Sequence, residues 1–132
     1  MSLLVLVFAT GVIFLLADAV MLSTVMKPLF ARHLGDSLLD GIRPLPAALF
    51  YVIYMAGVIW FAAWPALRDG TPSTALVNGA ILGFVAYGTY ELTSWTVMRD
   101  WHPSMVAADM VWGATVTAIS AWGGVVAARA IS

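Results

Sequence analysis

Cysteine is absent from the 132-residue chain. Its absence removes disulfides, thiolate nucleophiles, Cys-rich zinc sites and Cys-ligated iron–sulfur clusters, and leaves the redox compartment open. Charge is nearly as scarce: 10% of residues are Asp, Glu, Lys or Arg, against roughly a quarter in a soluble domain. Six Lys and Arg stand against seven Asp and Glu, for a net charge of -1. No basic surface exists to hold nucleic acid, and no acidic tail suggests a protein-binding arm. The chain has no GxSxG, no P-loop and no dinucleotide fingerprint, so no familiar catalytic motif supports an enzyme. HxxxH, HxxEH and ExxH spacings are missing too. His33 and His102, with Asp100 or Asp109, could in principle surround a metal, but interfacial hydrogen bonding explains both histidines better. Neither a metal nor a cofactor is expected.

What is present is apolar. With 62% hydrophobic residues, the composition is that of an integral membrane protein. A bilayer core about 30 Å thick takes about 20 helical residues. Four segments meet that length, Leu3–Ser23, Leu45–Leu67, Thr74–Thr96 and Met105–Ala128. The expected architecture is all-α and polytopic, one four-helix transmembrane domain over residues 1–132. The first segment has no Lys or Arg before its apolar run, so it reads as a permanent span rather than a secretion signal. The second is fenced by Arg43 and Pro44 on one side and by Pro65, Arg68 and Asp69 on the other.

Four spans place Thr24–Pro44 and Val97–Ser104 on one side, and both termini with the Ala66–Ser73 loop on the other. The first side carries Lys27, Arg32, Arg43 and Arg99, the second Arg68 and Arg129. The positive-inside rule therefore puts the first and third loops in the cytoplasm and both termini in the periplasm. Trp64 and Trp122 at the outer level, with Trp95 and Trp101 at the inner, suit aromatic anchoring. In the first loop Phe30, Leu34, Leu38 and Ile42 recur every four residues, opposite Arg32, Asp36 and Asp40, which suits a short amphipathic interfacial helix weakened by Gly35 and Gly41. TVMK at Thr24–Lys27 echoes TVMR at Thr96–Arg99, as a duplicated hairpin would.

Asp18, Glu91 and Asp109 each lie about five residues inside the inner end of a span, so at roughly 1.5 Å per residue they share a layer about 7 Å deep. An acid at a span's centre costs about 2.5–3.5 kcal/mol, whereas a Leu or Val returns about 0.3–0.6. Gly79, Gly83, Tyr87, Glu91 and Ser94 follow one another at helical steps, as do Asp109, Gly113, Thr117, Ser120 and Gly124. Both acids thus lie on small-residue stripes suited to close helix packing, Gly79 and Gly83 with GxxxG spacing. A small bundle with a cytoplasm-facing acidic pocket follows, with Asp18, Tyr87, Tyr90, Glu91, Ser94, Asp109 and Trp112 as candidate ligand contacts. The tyrosines and hydroxyls suit a polar headgroup or water, and Trp112 could offer a ring face to a cation. Burial and mutual repulsion oppose ionising all three acids, so the cluster should hold a proton near neutrality unless a cation enters. The bland alternative pairs Asp18 with Lys27 and Glu91 with Arg99, and ties Asp109 to backbone or hydroxyl groups, fixing helix register alone.

LADAV at Leu16–Val20, KPLFARHLG at Lys27–Gly35, LFYVIYMAGVIWF at Leu49–Phe61, VAYGTYELTSW at Val85–Trp95 and DMVWG at Asp109–Gly113 together resemble one family. It is a bacterial inner-membrane family known as predicted membrane proteins with a domain of unknown function. The resemblance spans nearly the whole chain, with YGTYELT and DMVWG its most specific blocks. It implies four spans with the acids part of the family pattern, and no assigned substrate, cofactor or catalytic residue. The expected function is binding or movement of a proton, cation or lipid headgroup. One alternative is an enzyme or accessory subunit acting on membrane lipid or fatty acyl chains, with Glu91 or Asp109 as general acid or base. Another is a structural subunit of a larger membrane complex. Partners are the lipid bilayer, an unknown small ligand, and a second copy or a complex partner, since four short spans enclose little.

Overall fold

The computed structural model describes residues 2–38 and 43–131. Among them every regular element is helical: α1 (Ser2–Met21), α2 (Lys27–Leu34), α3 (Pro44–Val58), α4 (Trp64–Asp69), α5 (Pro72–Val97) and α6 (Pro103–Ala130). Five-residue π turns, Leu22–Met26 and Ile59–Ala63, join α1 to α2 and α3 to α4 without a break. Ser2–Ser37, Pro44–Asp69 and Pro103–Ala130 are each long and apolar enough to cross a membrane. The fourth long helix, α5, has 26 residues and trades hydropathy for the Gly and Tyr positions that contact α6. The outer surface carries Leu4, Phe8, Leu16, Val52, Ile53, Trp60, Ile81, Val85 and Val111, all well exposed. Such continuous apolar exposure belongs against lipid. The protein is an all-α polytopic membrane protein.

Prolines explain both π turns. A proline inside a helix lacks the N–H and crowds the carbonyl four residues back. Pro28 follows the first π turn, where the N–H of Lys27 reaches back five residues to the Leu22 carbonyl. Ser23 Oγ donates to Ala19 O (3.0 Å) and Thr24 Oγ1 to Val20 O (2.6 Å), which further loosens this ladder. Pro65 follows the second, where the N–H of Trp64 reaches the Ile59 carbonyl. The carbonyl that Pro65 cannot serve belongs to Phe61, and Asn78 Nδ2 of α5 donates to it at 3.5 Å.

The stretch read as a separate interfacial segment therefore runs on from the first span. Its apolar side, Phe30 with Leu29 and Leu34, packs on Trp101, Met105 and Val106. Leu34 is followed by Gly35 at φ +54°, where the helix tightens into a single 3₁₀ turn and ends. Asp40, Gly41 and Ile42 of the amphipathic pattern lie outside the described residues. The TVMK and TVMR echo does not extend to the backbone: the first stretch is helical throughout, while α5 stops at Val97 and Met98 is extended.

At the end bearing the termini the bundle closes on small side chains. Leu6, Ala62, Ala63, Ala66, Ala75, Ala121, Val125 and Ala128 are all fully buried there. The α5–α6 contact is closest at Gly79 and Gly83, where an added Cβ would strike the backbone of Thr117, Ala118 and Gly113. The GxxxG stripe is used within the chain. Toward the other end Phe14, Phe50, Tyr51, Tyr54 and Tyr87 form a ring-to-ring chain with centroids 5.3–6.1 Å apart. These bulky groups hold the helices apart, and a space opens between them.

Candidate functional site

That space is a cavity of about 1000 Å³ walled by all four long helical segments. The helix running through α1 and α2 contributes Asp18, Leu22, Met26, Lys27 and Phe30; α3 contributes Phe50 and Tyr51; α5 contributes Ala86, Tyr87 and Tyr90; α6 contributes Asp109 and Trp112. Arg43, just before α3, completes a basic rim with Lys27.

Asp18 is held by two neutral donors from other helices. Tyr51 Oη donates to Oδ2 at 2.6 Å, and Trp112 Nε1 donates to Oδ1 at 3.1 Å. Each oxygen keeps a lone pair. Asp109, 9% exposed, lies within electrostatic reach of Asp18 and directly beside Glu91. Glu91 is fully buried. Trp101 Nε1 donates to its Oε1 at 3.0 Å, while Oε2 has no hydrogen-bond partner. Two carboxyls side by side are attractive only when a proton lies between them. Deeper in the bundle, Tyr54 Oη and Thr117 Oγ1 are hydrogen-bonded at 2.7 Å.

The bland pairings are not seen. Among the described residues the ion pair formed is Arg68–Asp69, on the surface, and Asp18, Glu91 and Asp109 have no Lys or Arg partner. Of the seven residues singled out from sequence, Asp18, Tyr87, Tyr90, Asp109 and Trp112 line the cavity, and Glu91 stands behind Asp109. Ser94 is not part of the wall. Tyr87 lies where a Cβ on Gly113 would project, so that glycine lets the ring turn into the bundle. Trp112 serves as a donor to Asp18. Trp101, read as an interfacial anchor, is instead 7% exposed and bound to Glu91. Sequence reasoning missed Tyr51, Phe50, Lys27 and Arg43. For Tyr51 the signal was available, since Tyr51 and Tyr54 put two phenols on one face of an otherwise apolar span.

His33 and His102 stack, with ring centroids 4.1 Å apart and planes 10° apart. Ser104 Oγ joins them, at 2.8 Å from His102 Nδ1 and 3.3 Å from His33 Nε2. The N–H of Ser104 donates to His102 Nδ1 at 3.1 Å, which makes His102 the N-cap of α6. The pair clasps α2 to the start of α6, and the interfacial hydrogen bonding expected of both residues is in place.

No curated protein and no solved structure matches the chain. A family model described as Predicted membrane protein (DUF2177) matches residues 3–126, and the chain belongs to that family.

Proposed function

We propose that the chain is a membrane-embedded binding protein of the bacterial inner membrane, a single four-helix domain over residues 1–132, whose cavity takes the polar headgroup of a membrane lipid. Its mouth faces the cytoplasm with Lys27, Arg32, Arg43 and Arg99, and both termini face the periplasm. The observation that carries the reading is the pairing of uncompensated carboxylates with a large cavity. Asp18 and Asp109 line it without a cationic partner, in a space of about 1000 Å³. A lone proton or metal ion needs far less room, whereas pockets for small organic ligands run to about 300–1,000 Å³. The close-packed alanines at the far end favour binding over passage through the bundle.

A second reading, proton storage, is favoured by one observation, the Glu91–Asp109 contact with Glu91 Oε2 left unpartnered. The two are compatible, because a cationic group entering beside Asp109 would displace the shared proton. The enzymatic alternative would make Asp109 the group that meets substrate, with Glu91 tuning it from behind.

Native mass spectrometry of protein extracted in mild detergent tests the binding reading. The wild type should retain one lipid mass per chain, and Asp109→Asn should lose most of it while keeping its unfolding temperature. Release of bare protein from the wild type under gentle conditions would overturn the reading.

A further inference from the structure

Resting on the binding reading, we infer that the cavity is selective for a headgroup joining a phosphate to a primary ammonium, that is, an ethanolamine phospholipid. The cavity carries two signs of charge in a fixed order. Lys27 and Arg43 stand at its rim, Asp18 and Asp109 on its floor, and no ion pair joins the two sets. Lys27 follows Asp18 by nine residues, about 13 Å of helix rise. The long lysine side chain leans toward the helix N-terminus and so back over that gap, and the cavity between the two charges has room for a phosphate–ethanolamine unit. A zwitterion entering ammonium first meets opposite charge at both of its ends, which in a weakly polar site outweighs either contact alone.

The donor count favours a primary amine. Tyr51 and Trp112 fix the Asp18 carboxylate in position and use one acceptor site on each oxygen. The remaining sites on Asp18, with those of Asp109, suit the three N–H donors of an ammonium. A trimethylated ammonium has none to give, although Tyr87, Tyr90 and Trp112 could still hold it through their ring faces. A glycerol headgroup leaves the carboxylates without a counter-charge. At the rim, the planar fork of Arg43 can take two phosphate oxygens, and Lys27 serves as a point charge. Leu22, Met26 and Phe50 supply the apolar wall that a lipid needs and a soluble phosphoethanolamine does not.

The test is lipid exchange onto delipidated full-length protein, with phosphatidylethanolamine, phosphatidylglycerol or phosphatidylcholine added at equal concentration and bound lipid read by native mass spectrometry. Phosphatidylethanolamine should bind about tenfold more tightly than the other two, as one charge-assisted hydrogen-bond set would give. Asp109→Asn should remove that preference. Lys27→Gln, at an exposed position that leaves the bundle intact, should weaken all three phospholipids together. Equal or tighter phosphatidylglycerol binding would overturn the inference while leaving the binding reading standing. Equal phosphatidylcholine binding would overturn the amine-donor argument in favour of an aromatic cage. Displacement of lipid by free O-phosphoethanolamine at comparable concentration would overturn the lipid as occupant. Failure of every lipid to bind the wild type would remove the binding reading itself.

Discussion

Glu91 and Trp101 show what an intramembrane acid needs when no cation is near. The carboxyl group is fully buried, the indole N–H donates to its Oε1, and Asp109 lies directly beside it. Glu91→Gln strands no basic partner and keeps an acceptor for the indole, so its stability should stay within about 1 kcal/mol of wild type. Trp101→Phe removes that donor and leaves a buried carboxyl oxygen unsatisfied, which should cost about 1–3 kcal/mol. Reversible unfolding in detergent compares the two, and a larger loss for Glu91→Gln would mean that charge pairing holds the glutamate after all. The acids themselves were legible in the sequence, because an acid inside an apolar run has few explanations. Their partners were less so: Trp101 looks like any interfacial tryptophan, and the two phenols of Tyr51 and Tyr54 on one apolar face mark a polar contact without saying that Asp18 is the acceptor.

His33, beyond the apolar part of the first helix, titrates below its ordinary value, chiefly through desolvation, then through the neighbouring His102 and Arg32. A histidine depressed in the folded state contributes stability that is present above its unfolded value, about 6.5, and is lost as pH falls through the lower folded value. The clasp between α2 and α6 should hold at neutral pH and loosen on acidification. Amide protection over Lys27–Leu34, expressed relative to the intrinsic exchange rate at each pH, should fall as pH drops from about 7.5 to 5, and His33→Gln should flatten that dependence. Protection indifferent to pH in the wild type would show that the stacked pair carries no load.

At the scale of elements, apolar length and small-residue spacing located the helices and the faces of α5 and α6. They could not show that two helices run through their prolines. Pro65 reads locally as a terminator, and what rescues the helix is Asn78, on a different element. Membrane helices tolerate proline when neighbours take up the freed carbonyl. The GxxxG stripe was legible as a contact surface but not as an intrachain one, since sequence spacing does not say which helix lies opposite. Gly83→Leu should therefore act on the fold rather than on assembly. Its side chain would strike the Gly113 carbonyl, and overpacking of this kind costs at least about 1–3 kcal/mol. Unfolding temperature should fall sharply with the oligomeric state unchanged; altered assembly at unchanged stability would place the stripe on an outer surface.

For the whole molecule, the central claim is a vestibule open at one end, sealed at the other, and occupied by lipid. A protein without cysteine allows a direct test by single-cysteine labelling with a membrane-impermeant thiol reagent. Ala86 lines the cavity, and Ala63 lies in the sealed core. Ala86→Cys should react in delipidated protein, and in vesicles only from the side bearing Lys27 and Arg43, more slowly when ethanolamine phospholipid is present. Ala63→Cys should stay unreactive from either side. Labelling of both positions, or of Ala86→Cys at a rate indifferent to lipid, would contradict the account.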